Sequence, residues 1–161
     1  MKILITLFAA LILSSCSTQN QTNYSKITYE AGACFGFCPM FKLTISPDRT
    51  AIIDAERFTF TDGSSKDDFS KPREGIFKAT IDKESFAKLN SFLDSLNLKS
   101  LKNYYGDKNI TDLPTSHLIV TFKDGSSKHI EDYGKSGTEK LREFYEFIEN
   151  LRKTQKWTKV N

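Results

Sequence analysis

Hydrophobic and polar positions alternate along several short segments of the chain, and this period of two predicts β-strands. The alternation covers residues 26–31, 41–45, 51–60, 76–81, 117–122 and 127–133. Turn-forming residues separate two pairs of these segments, at Ser46-Pro47-Asp48-Arg49 and at Lys123-Asp124-Gly125-Ser126. The pattern therefore predicts two β-hairpins, over residues 41–55 and 117–133.

Two other segments carry apolar residues at helical spacing. They cover residues 83–96, after a possible capping residue at Asp82, and residues 138–152, after Ser136 or Thr138. We expect Trp157 to fold back onto the body of the domain. Because each helix follows a predicted hairpin, the chain is interpreted as two β-hairpin–helix units. They form an α+β fold, with a mostly antiparallel sheet and both helices packed on one sheet face.

The length of the turn in the second hairpin decides the position of two histidines. A three-residue turn pairs Leu118 with Ile130 and places His117 and His129 on the opposite face, as near neighbours on adjacent strands. A two-residue turn places the histidines on opposite faces. The first register gives the better apolar face, and it is the one we predict.

The N-terminus has the pattern of a secretory signal. Met1-Lys2 is followed by the apolar run Ile3–Leu13 and then by small residues before Cys16. This run is about half the roughly 20 residues that a membrane-spanning helix needs. Leu13-Ser14-Ser15-Cys16 resembles a bacterial lipobox, in which the chain is cut before the cysteine and the cysteine is acylated. The alternative is an ordinary signal peptide with an incidental Cys16.

These features divide the chain into three parts. We predict a signal peptide over residues 1–15, a lipidated cysteine with a polar tether over residues 16–25, and a single α+β domain over residues 26–161. Ser17 after the cysteine resembles the signal for outer-membrane sorting. We therefore expect a lipid-anchored protein that faces the periplasm, with the membrane as one partner.

Composition narrows the class of function. The 161 residues include 39% hydrophobic residues, and the formal net charge is +3. Such a chain can bury an ordinary core, which argues against disorder. A nucleic-acid-binding domain normally carries a clustered basic face, and so small a net charge predicts no nucleic-acid partner.

The segment Cys34-Phe35-Gly36-Phe37-Cys38-Pro39 is the most distinctive motif. Two neighbouring cysteines in an exported protein favour a disulfide, and a turn through Gly36 brings them within reach. Two alternatives remain open. One is thiol–disulfide chemistry, although its usual spacing is two residues at the start of a helix. The other is a metal site built from Cys34, Cys38, His117 and His129. We predict the disulfide, with no metal and no cofactor.

The chain lacks the common catalytic motifs, including GxSxG, SxxK, HExxH and a phosphate-binding glycine loop. Asp107, Asp112 and Asp132 are the carboxylates that remain for acid–base chemistry. Asp112 lies in the turn before Pro114, where we expect its side chain to accept backbone N–H bonds. The sequence favours a protein that is not an enzyme, without deciding the point. The predicted binding surface consists of Phe35, Gly36, Phe37, Pro39 and Asp112.

Two motifs also resemble those of a known family. Residues 34–41 (CFGFCPMF) and 111–115 (TDLPT), with a terminal helix near Trp157, resemble an uncharacterised domain family of envelope lipoproteins from Bacteroidota-type bacteria, marked by CFGxCP. The resemblance spans about residues 26–158, and Phe41 stands where the family more often has Tyr. It implies a location in the cell envelope and brings no activity with it.

The expected function is that of a membrane-anchored envelope lipoprotein. We expect a non-enzymatic binding or structural module whose partner is an envelope protein or the cell wall. The alternative is a thiol–disulfide redox protein or a metal-dependent protein that uses Cys34 and Cys38.

Overall fold

The computed structural model describes residues 22–60, 73–107 and 109–160. These residues form one sheet and two helices, so the predicted α+β class is confirmed. The strands are β1 (Tyr24–Ala31), β2 (Met40–Ile45), β3 (Thr50–Arg57), β4 (Gly75–Thr80), β5 (Tyr104–Tyr105), β6 (Thr115–Phe122), β7 (Ser127–Tyr133) and β8 (Thr158–Lys159), and the helices are α1 (Lys83–Ser95) and α2 (Glu139–Thr154). The predicted signal peptide and Cys16 lie outside the described residues.

The strand order in the sheet is β5-β7-β6-β1-β2-β3-β4-β8. All neighbouring strands are antiparallel except β5 and β7. The two hairpin–helix units are not confirmed as described, because β4 comes between the β2–β3 hairpin and α1. Strand β1 starts at Tyr24, so the last two residues of the predicted tether belong to the sheet.

Alternation along the strands produces two different faces of the sheet. On one face the side chains of Ile27, Leu43 and Leu118 are fully buried. They belong to one core that also contains residues of both helices, among them Leu89 of α1 and Phe144 of α2. Both helices therefore cover the same face of the sheet, and we call the opposite face, over which neither described helix packs, the open face.

The second hairpin has the predicted register. Leu118 lies opposite Ile130, and the Phe122 N–H donates to the Ser126 carbonyl over 2.8 Å. The apolar residues thus reach the core, and the two histidines lie on the open face. The register predicted from a three-residue turn is therefore confirmed. A two-residue turn would have shifted the register by one residue and moved every side chain of β7 to the other face.

The two helices are joined where α1 begins and α2 ends. Asp82 caps α1 by accepting a hydrogen bond from the Ser85 N–H over 2.9 Å. The Gln155 side chain donates to the Asp82 carboxylate over 2.8 Å and accepts from the Asp82 N–H over 2.9 Å. Trp157 donates to the Leu151 carbonyl over 3.2 Å, so it folds back as predicted. Among the described residues, no helix is long and apolar enough to span a bilayer.

Candidate functional site

Two loops meet at one end of the sheet, and we call residues 32–39 together with residues 109–114 the rim. They meet because β1 and β6 are adjacent antiparallel strands, so the end of one lies beside the start of the other. The Gly32 N–H donates to the Thr115 carbonyl over 2.8 Å, and the Phe35 N–H donates to the Asp112 carbonyl over 3.2 Å. The rim therefore brings together the two segments that the sequence singled out.

The first rim loop is closed by its cysteines. Cys34 and Cys38 lie at disulfide distance, with Cα atoms 5.7 Å apart, within the usual range of about 4.4–6.8 Å. Gly36 at the turn has φ of +141°, a backbone conformation that side chains with a Cβ rarely adopt. Pro39 leads into β2, which starts at Met40. The loop is thus a short covalently closed turn that ends in a strand and not in a helix.

The closed turn exposes aromatic side chains. Phe35 is 88% exposed and Phe37 is 42% exposed, whereas Phe41 in the following strand is 2% exposed. The Phe37 ring packs edge-on against Phe58, with centroids 5.5 Å apart. Phe35 therefore adds little to the core, and its ring is available for contact with another molecule.

Asp112 acts in the second rim loop mainly through its backbone. Its φ of +65° lies in the left-handed region, where Asn and Asp are better tolerated than most residues. Among the described residues, its carboxylate accepts a hydrogen bond from the Thr111 hydroxyl over 3.2 Å and no backbone N–H bond. The expectation that its side chain fixes the turn through backbone N–H groups is therefore wrong. The link is made by its carbonyl, which accepts from Phe35.

A polar network lies between the sheet and α2, and no motif in the sequence indicates it. The buried Tyr29 hydroxyl is 2.9 Å from the Ser116 hydroxyl and donates to the Glu149 carboxylate, which also accepts from Lys135 over 2.6 Å. Burial, reinforced by the negative charge of Glu149, raises the pKa of Tyr29 well above its usual value. Tyr29 therefore stays protonated and serves as a donor.

Asp132 at the end of β7 is also fully buried. Its carboxylate accepts hydrogen bonds from the Ser136 N–H over 2.8 Å and the Gly137 N–H over 3.1 Å. Burial raises the pKa of Asp132, although these two N–H groups oppose the rise. Burial also raises the pKa of the adjacent Tyr145 hydroxyl, and the charge of Asp132 adds to the effect. This buried carboxylate holds the connection from β7 to α2.

His117 and His129 meet on the open face of the sheet, as the predicted register requires. His129 Nε2 lies 3.4 Å from His117 Nδ1, and the ring centroids are 5.6 Å apart. The metal site that joins both histidines to Cys34 and Cys38 is not assembled. Within residues 22–60, 73–107 and 109–160, no group of three or more His, Cys, Asp or Glu side chains is arranged to hold a metal ion.

A cavity of about 500 Å³ lies beside β4. It is lined by Phe60, Glu74, Phe77, Arg152, Gln155 and Trp157. The Glu74 carboxylate accepts from the Thr59 and Phe60 N–H groups over 2.9 and 3.0 Å, and Arg152 donates to the Thr59 carbonyl over 2.6 Å. The sequence could not indicate this cavity, because its aromatic walls come from distant parts of the chain.

Comparison with known proteins places the chain in a family. The family model for a domain of unknown function, DUF6438, matches residues 25–152. The chain belongs to the DUF6438 family. The DUF6438 match begins in β1, includes both rim loops and ends within α2, so membership of an uncharacterised domain family is confirmed. No curated protein gives a significant match.

Proposed function

We propose that this DUF6438 protein is an envelope lipoprotein, anchored by acyl chains on Cys16, that uses the rim to bind an envelope protein. The observation that carries the binding role is the Phe35 ring, which is 88% exposed on a covalently closed turn. An outer-membrane location facing the periplasm, an origin in Bacteroidota-type bacteria and CFGxCP as the mark of the family are parts of the same proposal.

The positions of the two ends of β1 support this arrangement. The segment that follows Cys16 enters β1 at Tyr24, and the rim follows its last residue, Ala31. The seven steps from the first to the last residue of β1 span about 23 Å, at roughly 3.3 Å per step. An anchor at Cys16 therefore joins the domain at the end of β1 opposite the rim, which suits a rim that binds a partner on the periplasmic side.

The chemistry of the rim suits protein recognition. Aromatic side chains are enriched at the centres of protein interfaces and supply much of the binding energy. A turn that is already closed loses less conformational entropy on binding than a flexible loop does. Within the parts of the chain that the structure describes, the rim combines both properties at Phe35 and Phe37.

Thiol–disulfide exchange by Cys34 and Cys38 is the alternative function. Redox cysteines generally lie at the start of a helix, which lowers the pKa of the attacking thiol. Here the turn leads into β2 instead. Intact-mass measurement with alkylation, before and after mild reductant, separates the two functions. A bridge that resists mild reductant supports the binding module, and free or rapidly exchanging thiols support the redox protein.

The anchor is tested by metabolic labelling with an alkyne analogue of palmitate, followed by membrane fractionation. We expect the wild-type protein to carry the label and to sediment with membranes, because several acyl chains on one cysteine give stable attachment. The Cys16→Ser variant should lose the label and leave the membrane fraction. An unlabelled wild type, or a Cys16→Ser variant that stays in the membrane, contradicts the proposal.

A further inference from the structure

We propose that His117 and His129 form a two-nitrogen binding site for a divalent transition-metal ion such as Zn²⁺. The chain contains only two histidines. They lie on the adjacent strands β6 and β7, with ring nitrogens facing each other on the face of the sheet that neither described helix covers. The site is separate from the rim, and it does not depend on the proposed lipoprotein function.

The spacing of the two nitrogens fits a chelate. His129 Nε2 and His117 Nδ1 are 3.4 Å apart. Two imidazole nitrogens bound to one zinc ion at about 2.0–2.1 Å with a tetrahedral angle lie about 3.3–3.4 Å from each other. Without an ion, one ring N–H can donate to the other nitrogen over this distance, which is longer than the roughly 2.9–3.0 Å of a typical hydrogen bond from an N–H group. The rings therefore stand at the separation that a shared ion needs.

The backbone around the pair is held by pairing on several sides. His129 lies opposite Ile119, and His117 lies opposite Glu131 on one neighbouring strand and Glu30 on the other. Strand β6 is paired along its length with both β1 and β7. An ion thus finds two ligands already in register, and binding requires little ordering of the chain.

The charges next to the pair also favour a cation. Glu30 and Glu131 flank His117 on the same face, and Lys42 lies 3.7 Å from the Glu30 carboxylate. Among the residues that the structure describes, Glu131 forms no ion pair. No third ligand is in position among the described residues, so water completes the coordination of the ion. The site should also prefer Cu²⁺ over Zn²⁺, following the general order of affinity for nitrogen ligands.

The test is calorimetric titration of the purified full-length protein, without a histidine tag, with Zn²⁺. We expect one ion per chain. The His117→Gln and His129→Gln variants should each weaken binding at least about tenfold, because loss of one ligand removes the chelate effect. Thr121→Ala, which changes another residue of the open face on β6, is the matched control and should bind as the wild type does.

Nuclear magnetic resonance provides a readout at the level of the ring nitrogens. With two histidines in the chain, the imidazole ¹⁵N spectrum contains two side-chain spin systems, and Zn²⁺ should shift both. A Cys34→Ser/Cys38→Ser variant should retain the two shifts, which separates this site from the rim. Absence of zinc binding, a shift of one ring only, or full affinity in either histidine variant overturns the proposal.

Discussion

The two faces of the sheet are made from the same strands, but one carries buried apolar side chains and the other carries mainly polar ones. On the covered face, Ile27, Leu43 and Ile53 are fully buried and pack under the helices. On the open face, the strands β7, β6, β1, β2 and β3 carry a row of polar residues. In that order across the sheet, they are Glu131, His117, Glu30, Lys42 and Asp54. Burial alone explains the covered face, but neither described helix packs over the open face to account for its histidine pair.

Functional chemistry in this protein is best sought on surfaces that burial does not explain. A buried apolar residue is explained by the free energy of removing it from water. An exposed residue has no such explanation, so a specific arrangement there carries more information about function. The rim and the histidine pair are both such arrangements.

The largest contrast should come from two neighbouring isoleucines of β3. Ile53 is fully buried and Ile52 is 44% exposed on the open face. Ile53→Ala should lower the free energy of unfolding by about 2–5 kcal/mol, through lost burial and a residual cavity. Ile52→Ala should change it by about 0.5 kcal/mol. Urea denaturation measures both, and equal losses would mean that the two faces are not distinct.

Removal of the rim disulfide should have the next largest effect. Because the bridge joins cysteines four positions apart, the Cys34→Ser/Cys38→Ser variant should lose about 2 kcal/mol of stability. The measurement is urea denaturation, with reduced wild type as the matched control. A variant that unfolds entirely would show that the rim is part of the core and not a surface attached to it.

Asp132 is a carboxyl group on the covered face, and it should make the stability of the protein depend on pH. Its pKa is raised by burial above the ordinary value of 3.8. The native state therefore holds the Asp132 proton more tightly than the unfolded state does. The resulting contribution to the free energy of unfolding is fully present below pH 3.8. It is lost as the pH rises from about 3.8 through the raised native pKa.

Asp132→Asn should remove this part of the pH dependence while keeping an oxygen that can accept from Ser136 and Gly137. Thermal unfolding across that pH range checks the prediction. A wild type and variant with parallel pH profiles would show that Asp132 is not the group responsible.

The smallest effect is expected at Asp82, an exposed carboxylate whose pKa is lowered, whereas that of Asp132 is raised. Hydrogen bonds from Ser85 and Gln155 lower its pKa from 3.8 to about 2. Its charge therefore stabilises the protein above pH 3.8, and that contribution is lost as the pH falls through about 2. Asp82→Asn keeps a good cap, so melting temperatures of variant and wild type should differ at neutral pH and converge near pH 2. A constant difference would refute the charge effect.

Local pattern predicted much of the fold, because the strands of the two hairpins and both helices have strong periodicity. The register of β6 and β7 followed from the turn at Lys123-Asp124-Gly125. The two-residue strands β5 and β8 were missed, since such short segments have no periodicity of their own and exist through pairing. The strand-like pattern of residues 76–81 predicted β4. It did not show that β4 separates the first hairpin from α1, which is why the first hairpin–helix unit was predicted without it.

Part of the candidate site was also predictable from local sequence pattern. The rim residues lie close together in two sequence motifs, so Phe35 and Asp112 could be found before the fold was known. The Tyr29–Glu149 contact joins residues 120 positions apart. Glu149 is one of many charged residues of an amphipathic helix, and nothing local distinguishes it from a solvated neighbour.

The claim that the rim is the contact surface is tested most directly by photocrosslinking in living cells. The photoreactive residue p-benzoylphenylalanine would replace Phe35 of the rim or, as the matched control, Ile52 of the open face. We predict one discrete crosslinked protein at position 35 and none at position 52. No crosslink at position 35, or equal products at both positions, would contradict the account.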